Sequence, residues 1–367
     1  MSAQKLSIFS CDNGDASLIE AHSWVIMTDI NYRAEASDEK SDALDFAPKI
    51  RNACKDDKLD IFVLTHPDED HLGGFGEIFH LGKPDDRDAD PDEGDVLILV
   101  DEIWCSEYSA NPNYTTEKSK PVLDEIKRRK ALQGTDAGNQ DGNRLKVLTA
   151  GSVAKNTLCN GIKWRLLAPN ASEGTIPKAK EGEPKNSSNP ASLVIQWTIT
   201  VRGRKSVFAL AGDSTVDIWE RLNKEMPAEQ LEWDVLLAPH HCSRHSLGRK
   251  VVNNGIESFK WSDDAYDGLD HPRSRKSHVV ASSRKFGQKH PPHPEARDKY
   301  RKMLARGGDV TQAVRDRFRC TAGAQGEKAE DVVFNFTASG MTLAVALAAP
   351  TVGTPTTSAA AGGGGYG

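Results

Sequence analysis

The stretch Thr65-His66-Pro67-Asp68-Glu69-Asp70-His71-Leu72-Gly73-Gly74 carries four groups that can ligate a metal, His66, Asp68, Asp70 and His71, within six residues. In an extended segment alternate residues point the same way, so His66, Asp68 and Asp70 can converge on one spot while His71 turns in beside them. Gly73-Gly74 then lets the backbone bend tightly. Carboxylates crowded this closely repel unless a cation sits between them, so the pattern points to a divalent metal. A charged loop with two incidental histidines is the plainer alternative, and it leaves that repulsion unanswered.

Two later stretches carry residues of the same kind. Gly212-Asp213 follows the apolar run 206–211, and Pro239-His240-His241 follows the apolar run 233–238. Neither dipeptide says much by itself. Together with the first cluster they form three apolar segments, each delivering His or Asp where it ends, which is how hydrolytic metal sites are commonly built.

The elements that must hold these residues read as follows. Residues 59–64, before His66, are a buried strand. Residues 5–20 are strand, turn and strand around Asn13-Gly14, and 23–30 a strand reaching Asp29. Helical spacing covers 42–55, 74–79, 118–132, 217–224 and 294–306. Strand-like runs cover 96–100, 102–105, 145–148, 157–158, 162–167, 192–201, 206–211, 233–238 and 277–282, with a closing hairpin of 332–337 and 341–348. A basic loop is expected between the histidine pair and 277. Residues 85–95 are an acidic surface run, 135–143 a turn-rich loop, and 171–190 a polar loop that moves or lies over a site. The Thr/Ala/Gly tail 350–367 is expected to be disordered.

Composition sets the frame. The chain has 367 residues, 38% of them apolar, and a mean hydropathy of -0.54, enough for a sizeable core in a water-soluble protein. No run approaches the roughly 20 apolar residues of a membrane span, and the opening residues lack a basic and apolar leader. Cytoplasmic residence without membrane association is therefore expected. The six cysteines are scattered without a C-x-x-C pair, which argues for reduced thiols. Net charge is -6, yet residues 244–306 hold 15 Lys/Arg against 7 Asp/Glu, a local excess of +8. Such a zone could meet a phosphate-bearing ligand or be a solvated face.

At this point the sequence resembles the metallo-β-lactamase-fold hydrolases, and within them the branch containing the hydrolase domain of the DNA-uptake protein ComEC. The motif T-H-P-D-E-D-H-L-G-G is similar to that branch's H-x-D-x-D-H-x-G-G. C-D-N-G-D-A-S-L-I and M-T-D-I-N resemble its opening turn and second strand end. N-P-A-S-L-V-I-Q-W, F-A-L-A-G-D-S, V-L-L-A-P-H-H-C-S-R-H-S and the late S-S-R-K-F-G-Q-K-H-P-P-H-P-E resemble its remaining motifs. The likeness runs from about residue 5 to 306, interrupted by about 80–145 and by the 171–190 loop. It implies an α/β, four-layer αββα sandwich over residues 1–349, with metals at one edge of two sheets.

The resemblance implies one ion held by Asp70, His71, Asp213 and one of His240 or His241. It implies a second held by His66 and Asp68, with Asp213 bridging. The histidine that lactamases add before the Gly-Asp strand is missing, so the second position is expected to be weaker and richer in oxygen. One or two ions of Zn²⁺ or Mn²⁺ fit such a donor set. Cys242 stands where the family usually has glycine; a thiol there could ligate or be oxidised, and packing is its simpler role. His290 matches the family's late histidine, with His293 as the alternative. Ser243, Arg244, Ser283, Arg284 and His293 are candidate substrate contacts.

The expected activity is a phosphodiesterase or nuclease using metal-activated hydroxide, acting on nucleic acid or a nucleotide. Asp70 fixes the ion, His290 protonates the leaving oxygen, and Arg244, Arg284 and Lys285 offset charge on the phosphoryl group. Two rivals remain: a hydrolase of carbon esters, lactones or amides on the same fold, and a binding or regulatory module that keeps the fold without catalysis.

Overall fold

A computed structural model describes residues 4–38, 41, 43–87, 96–112, 115–150, 156–174, 187–287, 290–323 and 328–344. The chain begins with β1 (Lys5–Ile8), β2 (Ser17–Ala21), β3 (Trp24–Thr28) and β4 (Ile30–Asn31), then α1 (Ala47–Ala53). Next come β5 (Lys58–Leu64), β6 (Leu72–Gly73), α2 (Phe75–Ile78), β7 (Leu99–Ser106), α3 (Glu107–Ala110), α4 (Lys120–Ala131) and β8 (Arg144–Leu148). The middle holds β9 (Thr157–Cys159), β10 (Ile162–Ala168), β11 (Val194–Val201), β12 (Arg204–Leu210), α5 (Val216–Glu225), β13 (Val235–Leu237) and the turn-like α6 (Pro239–Cys242). Last are β14 (Gly248–Asn253), β15 (Ile256–Trp261), α7 (Asp263–Leu269), β16 (His278–Ala281), α8 (Pro294–Ala305), α9 (Gln312–Arg315), β17 (Phe318–Cys320), β18 (Val332–Thr337) and β19 (Gly340–Leu343).

Two large sheets result. One runs β19-β18-β1-β2-β3-β5-β7-β8, the other β17-β16-β13-β12-β11-β10-β9. Period-2 alternation explains how they stack. In β5, Ile61 and Val63 face the inter-sheet core while Phe62 and Leu64 pack outward; in β12, Phe208 and Leu210 face inward and Ala209 outward. Trp104, Trp164 and Trp197 fill the space between the sheets. Strands covered on both faces must be apolar throughout, which is why 59–64 and 206–211 read as continuous runs.

The outer faces are covered by helices. Ile50 of α1, Phe75 and Ile78 of α2, and Val122, Leu123 and Ile126 of α4 pack on the first sheet. Ile218, Trp219 and Leu222 of α5, Leu269 of α7, and Tyr300, Met303 and Leu304 of α8 pack on the second. The architecture is the α/β, four-layer αββα sandwich expected from the sequence. β1 pairs with β18 along Lys5–Ile8, so the two ends of the described chain share one sheet.

Several sequence expectations change. The run 102–105 and the end of the run 96–100 form one strand, β7, because Asp101 does not interrupt the pairing with β5, while 96–98 precede it. That strand, with β8, extends the first sheet, so the 80–145 stretch read as an interruption supplies part of the fold. The expected basic loop contains the hairpin β14–β15, and α7, α9 and β17 were unforeseen. Residues 350–367, most of 171–190 and most of the acidic run 85–95 lie outside the described residues. Among the described residues, no helix is long and apolar enough to cross a membrane.

Candidate metal centre

The parallel portions of both sheets point their C-terminal ends to the same edge, where open α/β sheets characteristically bind ligands. There β5 runs into Thr65-His66 and β3 ends against Asp29. β12 leads to Asp213, and β13 leads to His240-His241. Between β5 and β12 the backbones come very close. Gly212 has φ of 46°, and a Cβ there would lie 2.7 Å from Thr65 Oγ1, so only glycine fits without displacement.

Asp213 stands at the middle. Its Oδ1 lies 3.2 Å from His71 Nε2 and 3.3 Å from His241 Nε2. Its Oδ2 lies 3.4 Å from His240 Nε2 and 4.0 Å from His66 Nε2. Asp70 Oδ2 joins the first group at 3.3 Å from His241 Nε2, and Asp68 Oδ2 joins the second at 3.5 Å from His66 Nε2. One carboxylate thus divides the cluster into two donor sets.

Both histidines of the 240–241 pair reach Asp213, where the family resemblance implied one. Consecutive residues can do this because His240, His241 and Cys242 are all left-handed, with φ of 52°, 53° and 63°. The turn splays the two imidazoles 6.1 Å apart at 80°. Such backbone costs about 1–2 kcal/mol per non-glycine residue. Strain of this kind persists where surrounding bonds over-determine it: His240 N–H donates to Gly212 O, and Ser243 N–H to His240 O. His240 therefore stands beside His66 on the second oxygen of Asp213, where a histidine was expected to be lacking. Cys242 occupies a position suited to glycine, yet its thiol is buried in the core beneath the second sheet. Burial pushes that thiol well above its ordinary pKa, so it packs.

The remaining contacts orient the imidazoles. Asp29 is fully buried and accepts from Thr65 N–H, Thr65 Oγ1 and His71 Nδ1, the last at 2.8 Å. Since Thr65 Oγ1 gives its proton to Asp29, it accepts from His66 Nδ1 at 3.1 Å. His241 Nδ1 donates to Ser282 O at 3.0 Å, with Asp15 Oδ1 at 3.5 Å behind the ring. Three imidazoles therefore commit Nδ1–H away from the cluster and present an Nε2 lone pair to it. On the second set, Ser188 donates its hydroxyl to Asp68, and Asn189 Nδ2 lies 3.5 Å from Asp213 Oδ2.

The residues fit a metal on an observation independent of family. His66 Nε2, His71 Nε2, His241 Nε2, Asp213 Oδ1 and Asp15 Oδ1 are buried without a hydrogen-bond partner. Ligand atoms of Asp15, His71, Asp213 and His241 lie within 4.8 Å of one another. Buried polar atoms in proteins normally find partners, so five orphans converging on one spot mark a place for a cation. The charges agree. Burial alone would raise the Asp213 carboxyl, but His241, His240 and His71 hold it well below the ordinary carboxylate range. Burial opposes the charged forms of His71 and His241, yet Asp213 and the nearby carboxylates raise both well above normal. The carboxylates here recruit positive charge.

The other candidates sit around this cluster. His293 is buried, its Nδ1 accepts from Arg244 N–H at 3.3 Å, and its ring lies 6.2 Å from His245. His290 is exposed, and the structure does not bring it into the donor sets. Ser243 accepts from His245 N–H, and Ser283 donates to Arg284 O, so both hydroxyls serve their own loops. Arg244 stacks over Phe259 at 4.6 Å, while exposed Arg284 pairs with Asp12 at 3.3 Å. Asn13 ties this late segment to the opening turn, donating to Pro291 O and accepting from Arg284 N–H. Asp15, Asp29, Ser188, Asn189 and Ser282 were missed as site residues. Asp15, Asp29, Asn189 and Ser282 had a signal, since each lies in a stretch noted for its resemblance.

No protein-family model matches the chain, and no curated protein matches it. Solved structures do. The metallo-β-lactamase fold protein YhfI from Bacillus subtilis is 11% identical, over 91% of this chain and 100% of that one, with a TM-score of 0.40. A diphosphatase of the PhnP family is 10% identical, over 91% and 99%, with a TM-score of 0.35. The archaeal metallo-β-lactamase superfamily protein ST1585 from Sulfolobus tokodaii is 13% identical, over 86% and 100%, with a TM-score of 0.30.

Proposed function

We propose that this protein is a metal-dependent hydrolase of phosphate esters, most specifically of phosphodiesters in a nucleotide or nucleic acid. The observation that carries the hydrolase reading is Asp213, with His71 and His241 on one oxygen and His66 and His240 on the other. A divalent cation in such a donor set supplies Lewis acidity and lowers the pKa of water from 15.7 towards ~7. One or two ions, Zn²⁺ or Mn²⁺, suit this mix of imidazole and carboxylate.

The chain's own residues do the rest. Asp70 and Asp68 close the two sets, and Asp213 fixes their spacing. Ser188 and Asn189 hold Asp68 and Asp213 from the far side. His293 has its Nδ1 occupied by Arg244 N–H, so its Nε2 carries the proton in the neutral ring. Burial, with Arg244 beside it, lowers its pKa and keeps that ring neutral near pH 7. This favours His293 over exposed His290 as a hydrogen-bond donor to a phosphoryl oxygen, while the leaving oxygen takes its proton from water. Arg244, held over Phe259, supplies positive charge near His293. The ComEC-like branch belongs to this proposal and rests on the sequence motifs. Cytoplasmic residence belongs to it too, supported by six unpaired cysteines.

The test is a substrate panel. Metal-stripped protein reloaded with Zn²⁺ or Mn²⁺ is given bis(p-nitrophenyl) phosphate, cyclic nucleotides, DNA and RNA oligonucleotides, p-nitrophenyl acetate and a lactone, beside Asp70→Ala. Hydrolysis of phosphodiesters, lost in the variant, is expected. Turnover of carbon esters alone removes the phosphodiester reading. Stoichiometric metal without turnover of anything removes catalysis.

A further inference from the structure

The basic excess seen in the sequence is divided: Arg244 lies beside His293 near the metal centre. Another part lies at the other end of the second sheet, where the turn before β12, the segment before β16 and the segment before β17 surround a cleft of about 760 Å³. Arg204, Lys205, Arg273, Arg275, Lys276 and Arg317 line it. β12 runs from this cleft towards Asp213. Its seven residues alone separate the two places by about 20 Å, at ~3.3 Å each.

The balance of charge at this cleft is uneven. Its two carboxylates, Glu232 and Asp234, are both engaged by Arg273, at 3.4 and 2.6 Å. Among the described residues, no carboxylate lies within ion-pair distance of Arg204, Lys205, Arg275, Lys276 or Arg317. Arg317 is held in place instead, its guanidinium donating to Leu304 O at 2.8 Å and Ser277 O at 3.3 Å. His278 also lines the cleft, and burial with Arg317 and Arg319 nearby pushes its pKa down to about 4, so it adds no charge. Five cations from three separate segments face one concavity, far outweighing the one negative charge that Arg273 leaves unneutralised on Glu232 and Asp234. Like charges so arranged repel, and an anion that reaches several of them at once removes the cost.

We infer that this cleft is a second ligand site, built for a compact oligophosphate group of two or three phosphoryl units. A single phosphate carries too little charge to balance five cations and leaves most of a cleft of about 760 Å³ unfilled. An extended nucleic-acid strand calls for a basic track, whereas these cations ring a cleft walled on one side by the β18–β19 hairpin around Gly340. Inorganic oligophosphate and the triphosphate of a nucleotide share the chemistry the cleft recognises. Met341 and Leu343 on that wall add apolar surface that only the nucleotide can use.

Calorimetry on the metal-stripped full chain separates the outcomes, with inorganic tripolyphosphate, ATP and a single-stranded oligonucleotide as probes. One tripolyphosphate or ATP is expected to bind per chain, weakening steeply with added salt. Arg275→Glu/Lys276→Glu on one segment and Arg204→Glu on another are each expected to weaken binding at least about tenfold. These side chains are solvent-exposed apart from the cleft, so folding is preserved. Asp213→Asn is expected to leave binding unchanged. Tighter binding of ATP than of tripolyphosphate identifies the nucleotide as the source; equal binding identifies the oligophosphate alone. Absence of binding, unchanged binding in both charge reversals, or loss in Asp213→Asn overturns the inference. So does an oligonucleotide that binds more tightly than either small probe through the same residues.

Discussion

Replacing Asp213 by asparagine tests the geometry most directly, because it keeps the shape and removes one charge from the middle of four imidazoles. Both oxygens face Nε2 atoms at 3.2–4.0 Å, and the side chain is buried, so solvent cannot stand in for the lost carboxylate. Removing one member of a buried charge-paired set costs about 3–5 kcal/mol. At about 1.4 kcal/mol per decade, metal affinity should fall roughly a hundred- to several-thousand-fold. The metal-free fold should tolerate the change. Asp213 is the leading contributor among those that raise the pKa of His71 and His241, so without it both values fall and fewer buried positive charges are left unpaired. The assay is zinc or manganese titration by calorimetry, with elemental analysis after dialysis and circular dichroism of the stripped protein. A folded Asp213→Asn protein that binds as many ions as the parent, with affinity within about threefold, would refute the reasoning.

Two other outcomes follow from the surrounding structure. Asp29→Asn leaves the ligands in place but weakens the acceptor that fixes His71 Nδ1, and should lower zinc affinity about 10–100-fold; an unchanged titration would show that Asp29 does not orient the ring. Burial, with Asp141 beside it, raises the Asp101 carboxyl to about 6, so its ionised form opposes folding above that pH. The penalty disappears below the unfolded value near ~3.9. Asp101→Asn should therefore stabilise the protein by on the order of 1 kcal/mol at pH 8, after discounting for solvent screening, and by only a small fraction of that at pH 4. Thermal unfolding at the two pH values checks this, and an equal shift at both rules it out.

The parts of the site legible in sequence are those in which a local run does two jobs. Residues 59–64 and 206–211 are apolar because both faces of β5 and β12 are covered, and His66, His71 and Asp213 follow immediately. Asp15 and Asp29 were harder. Each is a lone acid near a strand, and what makes it part of the site is His241 or His71 arriving from elsewhere. Ser188 and Asn189 reach Asp68 and Asp213 across 120 and 24 residues; Asn189 opens a motif noted for its resemblance, but Ser188 has no local pattern to announce it. The hairpin β14–β15 escaped for the opposite reason: most of its residues are exposed, so burial imposed no alternation on them.

From the order of residues alone came the donor types and the strand ends that carry them, because burial and chain stiffness act over neighbouring positions; the layered class of the fold came from the resemblance of the motifs. How His240 and His241 divide between the two oxygens of Asp213 was decided in three dimensions, by three left-handed residues that mean nothing outside the turn they form. The same holds for the distant basic cleft, whose cations come from segments as far apart as Arg204 and Arg317. Electrostatic energy depends on distance through space, and only the packed sheets set that distance.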